Sequence, residues 1–161
     1  MEILGAFVEQ GFLTKTSATL LENYAKKWQV CQVTSILDCH IMSEGELADT
    51  LSEVLLLERV YALKAERIKS EGSFCFSLEE ALEFEAVLLE AASEHNASSM
   101  VIGAVNPLSP PLKAFLAEKC PQDYVFVVCE RSQLIASILE AYPVQSSIKG
   151  LMPRELEKGE S

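Results

Sequence analysis

The segment Ile36 to Leu57, ILDCHIMSEGELADTLSEVLLL, constrains the fold of this chain more than any other stretch. Ser43 followed three residues later by Glu46 is a capping box. The serine oxygen can accept the third helical N–H while the glutamate reaches back to the serine's own N–H, and Met42 stands where a hydrophobic staple to Leu47 would close. A helix therefore starts at Ser43. Leu47, Leu51, Val54 and Leu55 then recur at intervals of three and four, which places them on one face. Upstream, Val33, Ile36 and Leu37 form a shorter apolar face ending at Cys39-His40, so the unit is helix, tight turn, helix.

The same order of parts occurs earlier. Ile3 to Leu21 offers apolar Ile3, Phe7 and Val8, a turn at Gly11, the pair Phe12-Leu13, a capping Thr14, then Leu20, Leu21 and Tyr24. Gly11 and His40 occupy the same turn, 29 residues apart, and Phe12-Leu13 matches Ile41-Met42 at that offset. After Leu13 the pattern predicts a slip of register by two or three residues. Trp28, the single tryptophan, is expected to pack between the two hairpins.

From Leu57 to Ser73 the pattern leaves two readings open, a short strand over Val60 to Leu63 or a helix continuing through Lys69. A second capping box, Ser77 with Glu80, opens a helix over residues 78–83. Glu85 to Ala92 and Ser99 to Val105 have strand composition, and Ser93 to Ser98, with His95 and Asn96, reads as the turn of an antiparallel pair. Asn106-Pro107 ends the strand and Ser109-Pro110 starts a helix with Leu112, Phe115 and Leu116 inward. Tyr124 to Cys129 (YVFVVC) is the strongest strand, and Leu134, Ile135, Ile138 and Leu139 line a final helix that stops at Tyr142-Pro143. The fold class expected is α+β: a pair of helical hairpins over 1–57, a three- or four-stranded sheet packed by helices over 58–143, and a linker or tail over 144–161.

Composition narrows the function. A formal charge of −11, from 13 basic and 24 acidic residues, argues against nucleic acid, since phosphate neutralisation needs clustered Lys and Arg. The acid either keeps a leucine-rich surface soluble or complements a basic partner. No apolar run approaches the roughly 20 residues that span a bilayer, and the N-terminus lacks the pattern of a signal peptide, so a cytoplasmic protein without direct membrane insertion is expected. Cys31, Cys39, Cys75, Cys120 and Cys129 have no CxxC spacing and read mostly as buried small hydrophobes, and Cys39-His40 as a structural turn rather than a metal site. The acidic cluster Glu79, Glu80, Glu83 and Glu85 reads as a solvated helix start. No G-x-x-x-x-G-K-[ST], G-x-S-x-G or HExxH occurs, and no catalytic, cofactor-binding or metal-ligating residue is assigned. The chain is expected not to be an enzyme.

Two short helix pairs at fixed spacing resemble the N-terminal domain of bacterial type II secretion and type IV pilus assembly ATPases, the GspE N-terminal or MshE N-terminal domain. That half-repeat begins Arg-Leu-Gly, places two aliphatics before a turn glycine and two after it, continues with two leucines four apart and closes on Gln. The second copy here gives Cys31-Gln32-Val33, Ile36-Leu37, His40, Ile41-Met42, Leu47, Leu51 and Val54; the first gives Glu2-Ile3-Leu4, Phe7-Val8, Gly11 and Phe12-Leu13. The order of strands and helices from Val101 to Tyr142 also resembles the family, so the likeness spans residues 1–143. In members that bind cyclic di-GMP, the Arg, the adjacent glycine and the closing Gln serve the nucleotide. This chain has Glu2 and Cys31 at the Arg positions, Leu4 and Val33 at the glycines, and Ala25 and Val54 near the Gln positions.

The resemblance thus implies a non-catalytic interaction module without cofactor, docking on a secretion or pilus platform protein, or on its own polypeptide's catalytic domain, and peripheral to the inner membrane through that partner. Cyclic di-GMP binding is not expected, because a carboxylate repels an anion and Val33 brings a branched side chain. The alternatives are a cyclic di-GMP sensor, or the same module attached to a glycosyltransferase or response regulator.

Overall fold

In the computed structural model, which describes residues 2–72, 74–90 and 100–143, the N-terminal helices keep the 29-residue spacing. Helices α1 (Ile3–Glu9) and α3 (Gln32–Asp38) correspond end for end, and α2 (Lys15–Trp28) and α4 (Glu44–Leu55) begin at equivalent places. Thr14 Oγ1 accepts from Ser17 N and Ser43 Oγ accepts from Glu46 N, each at 3.1 Å, and Glu46 completes its box. At the turns Phe12 N donates to Phe7 O (2.8 Å) and Ile41 N to Ile36 O (3.2 Å). Both closures wrap around a left-handed residue, Gly11 at φ +83 and His40 at φ +55. Glycine adopts that conformation freely, whereas a side chain there costs on the order of 1 kcal/mol.

The predicted slip of register takes another form. The two second helices start in register, but α2 closes on left-handed Gln29 and α4 on left-handed Leu56, so α2 runs two residues further relative to the repeat. Leu21 and Ala25 are buried and Ala18 packs on the same core, while Leu20 is 65% exposed and Tyr24 only half-buried. Trp28 does not pack between the hairpins. It is 59% exposed, against Tyr24 at 6.2 Å between ring centroids. It continues the stripe of Leu21 and Ala25 into the last turn of the longer helix, where that stripe has left the core.

The remaining elements are strand β1 (Glu58–Val60), a 3-10 turn (Ala65–Arg67), helix α5 (Leu78–Phe84), strands β2 (Ala86–Leu89) and β3 (Met100–Ala104), helix α6 (Pro110–Lys119), strand β4 (Tyr124–Cys129) and helix α7 (Arg131–Ala141). Of the two readings for residues 57–73 the strand is correct, but it begins at Glu58, two residues after the left-handed Leu56, and only Val60 of the expected Val60–Leu63 belongs to it. The four strands form one mixed sheet in the order β1-β4-β3-β2. β1 and β3 run parallel to β4; β2 runs antiparallel to β3, as the sequence predicts, with Val87 opposite Gly103. The turn expected over Ser93–Ser98, with His95, lies outside the described residues, as does the segment 144–161.

Strand β4 explains its own composition. Val127 and Cys129 enter a core made with α5, α6 and α7, whereas Val128 enters the core of the four N-terminal helices. Where the strand is covered on both faces, over Val127, Val128 and Cys129, every position is apolar, whereas Val125 nearer its start is 38% exposed. On α7, Leu134 and Ile138 are buried but Leu139 is 52% exposed, a narrower stripe than the sequence predicts. Tyr142 donates to Phe76 O at 2.7 Å and ties the end of α7 to the start of α5. All five cysteines are free, and only Cys129 is fully buried, contrary to the expectation for most of them. The reason is local: Cys31 and Cys39 cap the two ends of α3, and Cys120 caps the end of α6, positions at the margin of a core.

Candidate ligand groove beside the second hairpin

The first turn of α3 forms one wall of a cleft, and it does so through its cap. Cys31, extended at φ −74 and ψ 160, accepts from Thr34 N at 3.4 Å through its sulfur. Asn106, from the end of β3, donates Nδ2 to the same sulfur at 3.3 Å and uses Oδ1 to accept from Leu108 N at 3.0 Å. The Arg position of the resembled family is therefore closed by a thiol held between two neighbours. The opposite wall is the end of α5, where left-handed Glu85 (φ 51) turns its carboxylate toward Arg131 at the start of α7.

The cleft is lined by Cys31, Val33, Thr34, Leu37, Glu83, Phe84, Glu85, Val105, Asn106, Ser109 and Arg131, with a cavity volume of about 150 Å³. That is below the roughly 300 Å³ at which small-molecule pockets begin. Its one cation is already engaged, since Arg131 Nε lies 2.8 Å from Glu85 Oε2. The contact is ionic rather than an aligned hydrogen bond, for Glu85 Oε2 has no hydrogen-bond donor among the described residues. Beyond Leu37 and Arg131 a second recess of about 370 Å³ opens, lined also by Asp38, His40, Met42, Ser43 and Glu44. Glu44 Oε2 there accepts from Ser132 Oγ at 2.6 Å and Ser132 N at 3.1 Å, so a carboxylate from α4 fills the N-terminus of α7. Two acids per cation line each recess, which disfavours a phosphate.

The positions singled out in the sequence fall as follows. Glu2 is exposed at the start of α1 and makes no side-chain cap. Leu4 and Val33 are buried in the helical core at 1% and 3% exposure, and Ala25 and Val54 are buried on α2 and α4. The two glycine positions have thus become core positions. Of the acidic cluster, Glu80 is held in its capping box by Ser77 N at 2.9 Å and Glu85 pairs with Arg131, while Glu79 lies in the first turn of α5. Cys39 and His40 sit at the α3 turn, and among the described residues no three His, Cys, Asp or Glu side chains converge as metal ligands. The contacts Cys31–Asn106, Glu85–Arg131 and Glu44–Ser132 join segments far apart in sequence, and no local signal announces them. No helix among the described residues is long and apolar enough to cross a membrane.

The architecture defines the class: duplicated helical hairpins on a mixed four-stranded sheet, an α+β fold. The N-terminal domain of XpsE matches with a TM-score of 0.66 and 17% identity, over 88% of this chain and 94% of that one. A second crystal form of the same domain gives 0.56 and 16%. The structure of MshE with cdg matches at 0.64 and 16% identity, over 88% of this chain and 99% of that one. No protein-family model and no curated protein sequence matches this chain. At such identities the likeness establishes the fold.

Proposed function

We propose that this chain is a non-catalytic interaction module that docks on a cytoplasmic protein of a membrane-bound secretion or pilus assembly machine. The observation that carries this reading is the conversion of both half-repeat glycine positions, Leu4 and Val33, into buried core. A backbone wrapped in its own core has no bare stretch to offer a nucleotide, whereas the scaffold for protein contact is intact. The likeness to the XpsE N-terminal domain supports the secretion setting. The test is binding of the purified chain to the cytoplasmic domain of the machine's platform protein. Saturable binding at or below about 10 μM supports the proposal, and none up to about 1 mM overturns it.

The likeness to MshE, solved with cdg, favours a second reading as a nucleotide sensor. Against it stand the thiol at the Arg position and the engaged Arg131. Titration calorimetry with cyclic di-GMP separates the two readings.

A further inference from the structure

The buried apolar side chains fall into two separate cores, and the chain crosses from one to the other once. Among the described residues the sheet core holds none before Val60, and the helical core draws on Ile3 to Leu57. To that helical core the rest of the chain lends only Val128, fully buried near the end of β4, and Leu108 at the margin. The crossing is the link Leu57–Glu58. Leu57 is tied back to α4, its N–H donating to Ser52 O at 3.0 Å and its carbonyl accepting from Ser52 Oγ, while Glu58 is already paired with Val127 in the sheet. A boundary one link wide lets one unit turn against the other with few dihedrals changed.

Three polar contacts clasp the units together. Arg59, its side chain 7% exposed, lies 2.9 Å from Asp49 of α4; Ser132 donates its N–H and hydroxyl to Glu44; Asn106 donates to the Cys31 sulfur. None strands a group when it parts. Arg59 keeps Glu130 at 3.7 Å, Val60 O and the Tyr61 ring on its own side, Asn106 keeps Leu108 N, and Cys31 keeps Thr34 N. Glu44 and Ser132 meet at the surface, where water can replace their bond. Parting is costly when it leaves a buried charge unpaired, and here it leaves none. The groove described above lies across the same boundary, with Cys31, Thr34 and Leu37 on the helical side and Glu85, Asn106 and Arg131 on the other.

We infer that the four N-terminal helices form a rigid body that swings on the Leu57–Glu58 link between a clasped and an open arrangement, so that the clasp sets the width of the groove. The open arrangement is a minor state reached without unfolding either core.

Two neighbours on β4 supply the probe, because Val128 faces the helical core and Cys129 the sheet core, at 0% and 1% exposure. The protein carries Val128→Cys together with Cys31→Ser, since serine caps a helix well and removes a competing thiol from the clasp. Alkylation by iodoacetamide in native buffer, followed by fragmentation of the β4 peptide, gives the rate at each position. The swing predicts that position 128 reacts at least about 30-fold faster than Cys129, which waits for global unfolding. Removing both clasp carboxylates with Glu44→Ala and Asp49→Ala should quicken position 128 about tenfold. Leu21→Ala does the opposite. Leu21 is buried on α2, which packs on α1 and α3, so its loss weakens the folded helices equally in both arrangements. Cys129 should then react faster while position 128 stays within about twofold. A ratio between the two positions below about threefold overturns the inference. So does a position-128 rate that Leu21→Ala raises as much as that of Cys129, which would mean that the helices unfold rather than swing, or one that the clasp variants leave unchanged. Circular dichroism verifies the fold of each variant. Should Val128→Cys fail to fold, Leu108→Cys in the same contact takes its place, with the same responses to the clasp and core variants expected.

Discussion

Substituting Val33 by glycine restores the residue type that the resembled half-repeat has at this position, and the structure assigns it a defined energetic consequence. Val33 lies in the first turn of α3, 3% exposed, in the core with Ile3, Leu4, Ile36, Leu47 and Leu51. Removing its isopropyl group costs roughly 2 kcal/mol in lost burial and cavity formation. Glycine in a helix adds about 1 kcal/mol over alanine. The expected loss is therefore about 3 kcal/mol, a large share of a typical domain's stability, and a fall in Tm of roughly 6–12 °C. Urea unfolding followed by far-ultraviolet circular dichroism measures it, with the m-value unchanged, and Val33→Ala separates the two terms by losing only the first. Should Val33→Gly prove too unstable to study, Val33→Ala with a loss near 2 kcal/mol carries the same test. A loss below about 0.5 kcal/mol for either variant would refute the reasoning, because that is the range of surface substitutions.

Three further outcomes follow from the geometry. Gly11→Ala should cost about 1 kcal/mol and His40→Gly should gain a similar amount, since both sit at positive φ and an added Cβ at Gly11 meets nothing within 4 Å; paired denaturant curves read the opposite signs. Burial raises the Tyr142 phenol to about 12 from its ordinary 10, so its contribution is complete below pH 10 and is lost as pH rises toward 12. Tyr142→Phe should be less stable at neutral pH, through loss of the bond to Phe76 O, and should lose less stability over that alkaline window, as measured by urea titrations at several pH values. Burial likewise holds the Cys129 thiol at about 12, so native protein should leave Cys129 unmodified by iodoacetamide while Cys31, Cys39, Cys75 and Cys120 react first, as peptide mapping would report.

Local chemistry made much of the fold legible. Ser43 with Glu46 and Ser77 with Glu80 mark helix starts to the residue, because a capping box is completed within four residues of chain. The 29-residue repeat is equally visible, since Gly11 and His40 end their helices with the same hydrogen bonds. What the sequence could not reveal depends on where an element stands rather than on what it contains. Trp28 and Leu139 lie at the spacing of a core stripe yet face solvent, Trp28 in the two residues by which α2 outruns the repeat. The groove was legible only in what it lacks. Cys31 meets Asn106 across 75 residues and Ser132 meets Glu44 across 88, and no periodicity carries such pairings.

The central claim is that a duplicated helical scaffold has the positions that match the half-repeat glycines, Leu4 and Val33, closed by its own core, with the neighbouring cation paired. Calorimetric titration of the intact chain with cyclic di-GMP tests it most directly. The account predicts no heat beyond dilution at ligand concentrations up to about 100 μM. A saturable heat with Kd tighter than about 10 μM would contradict it.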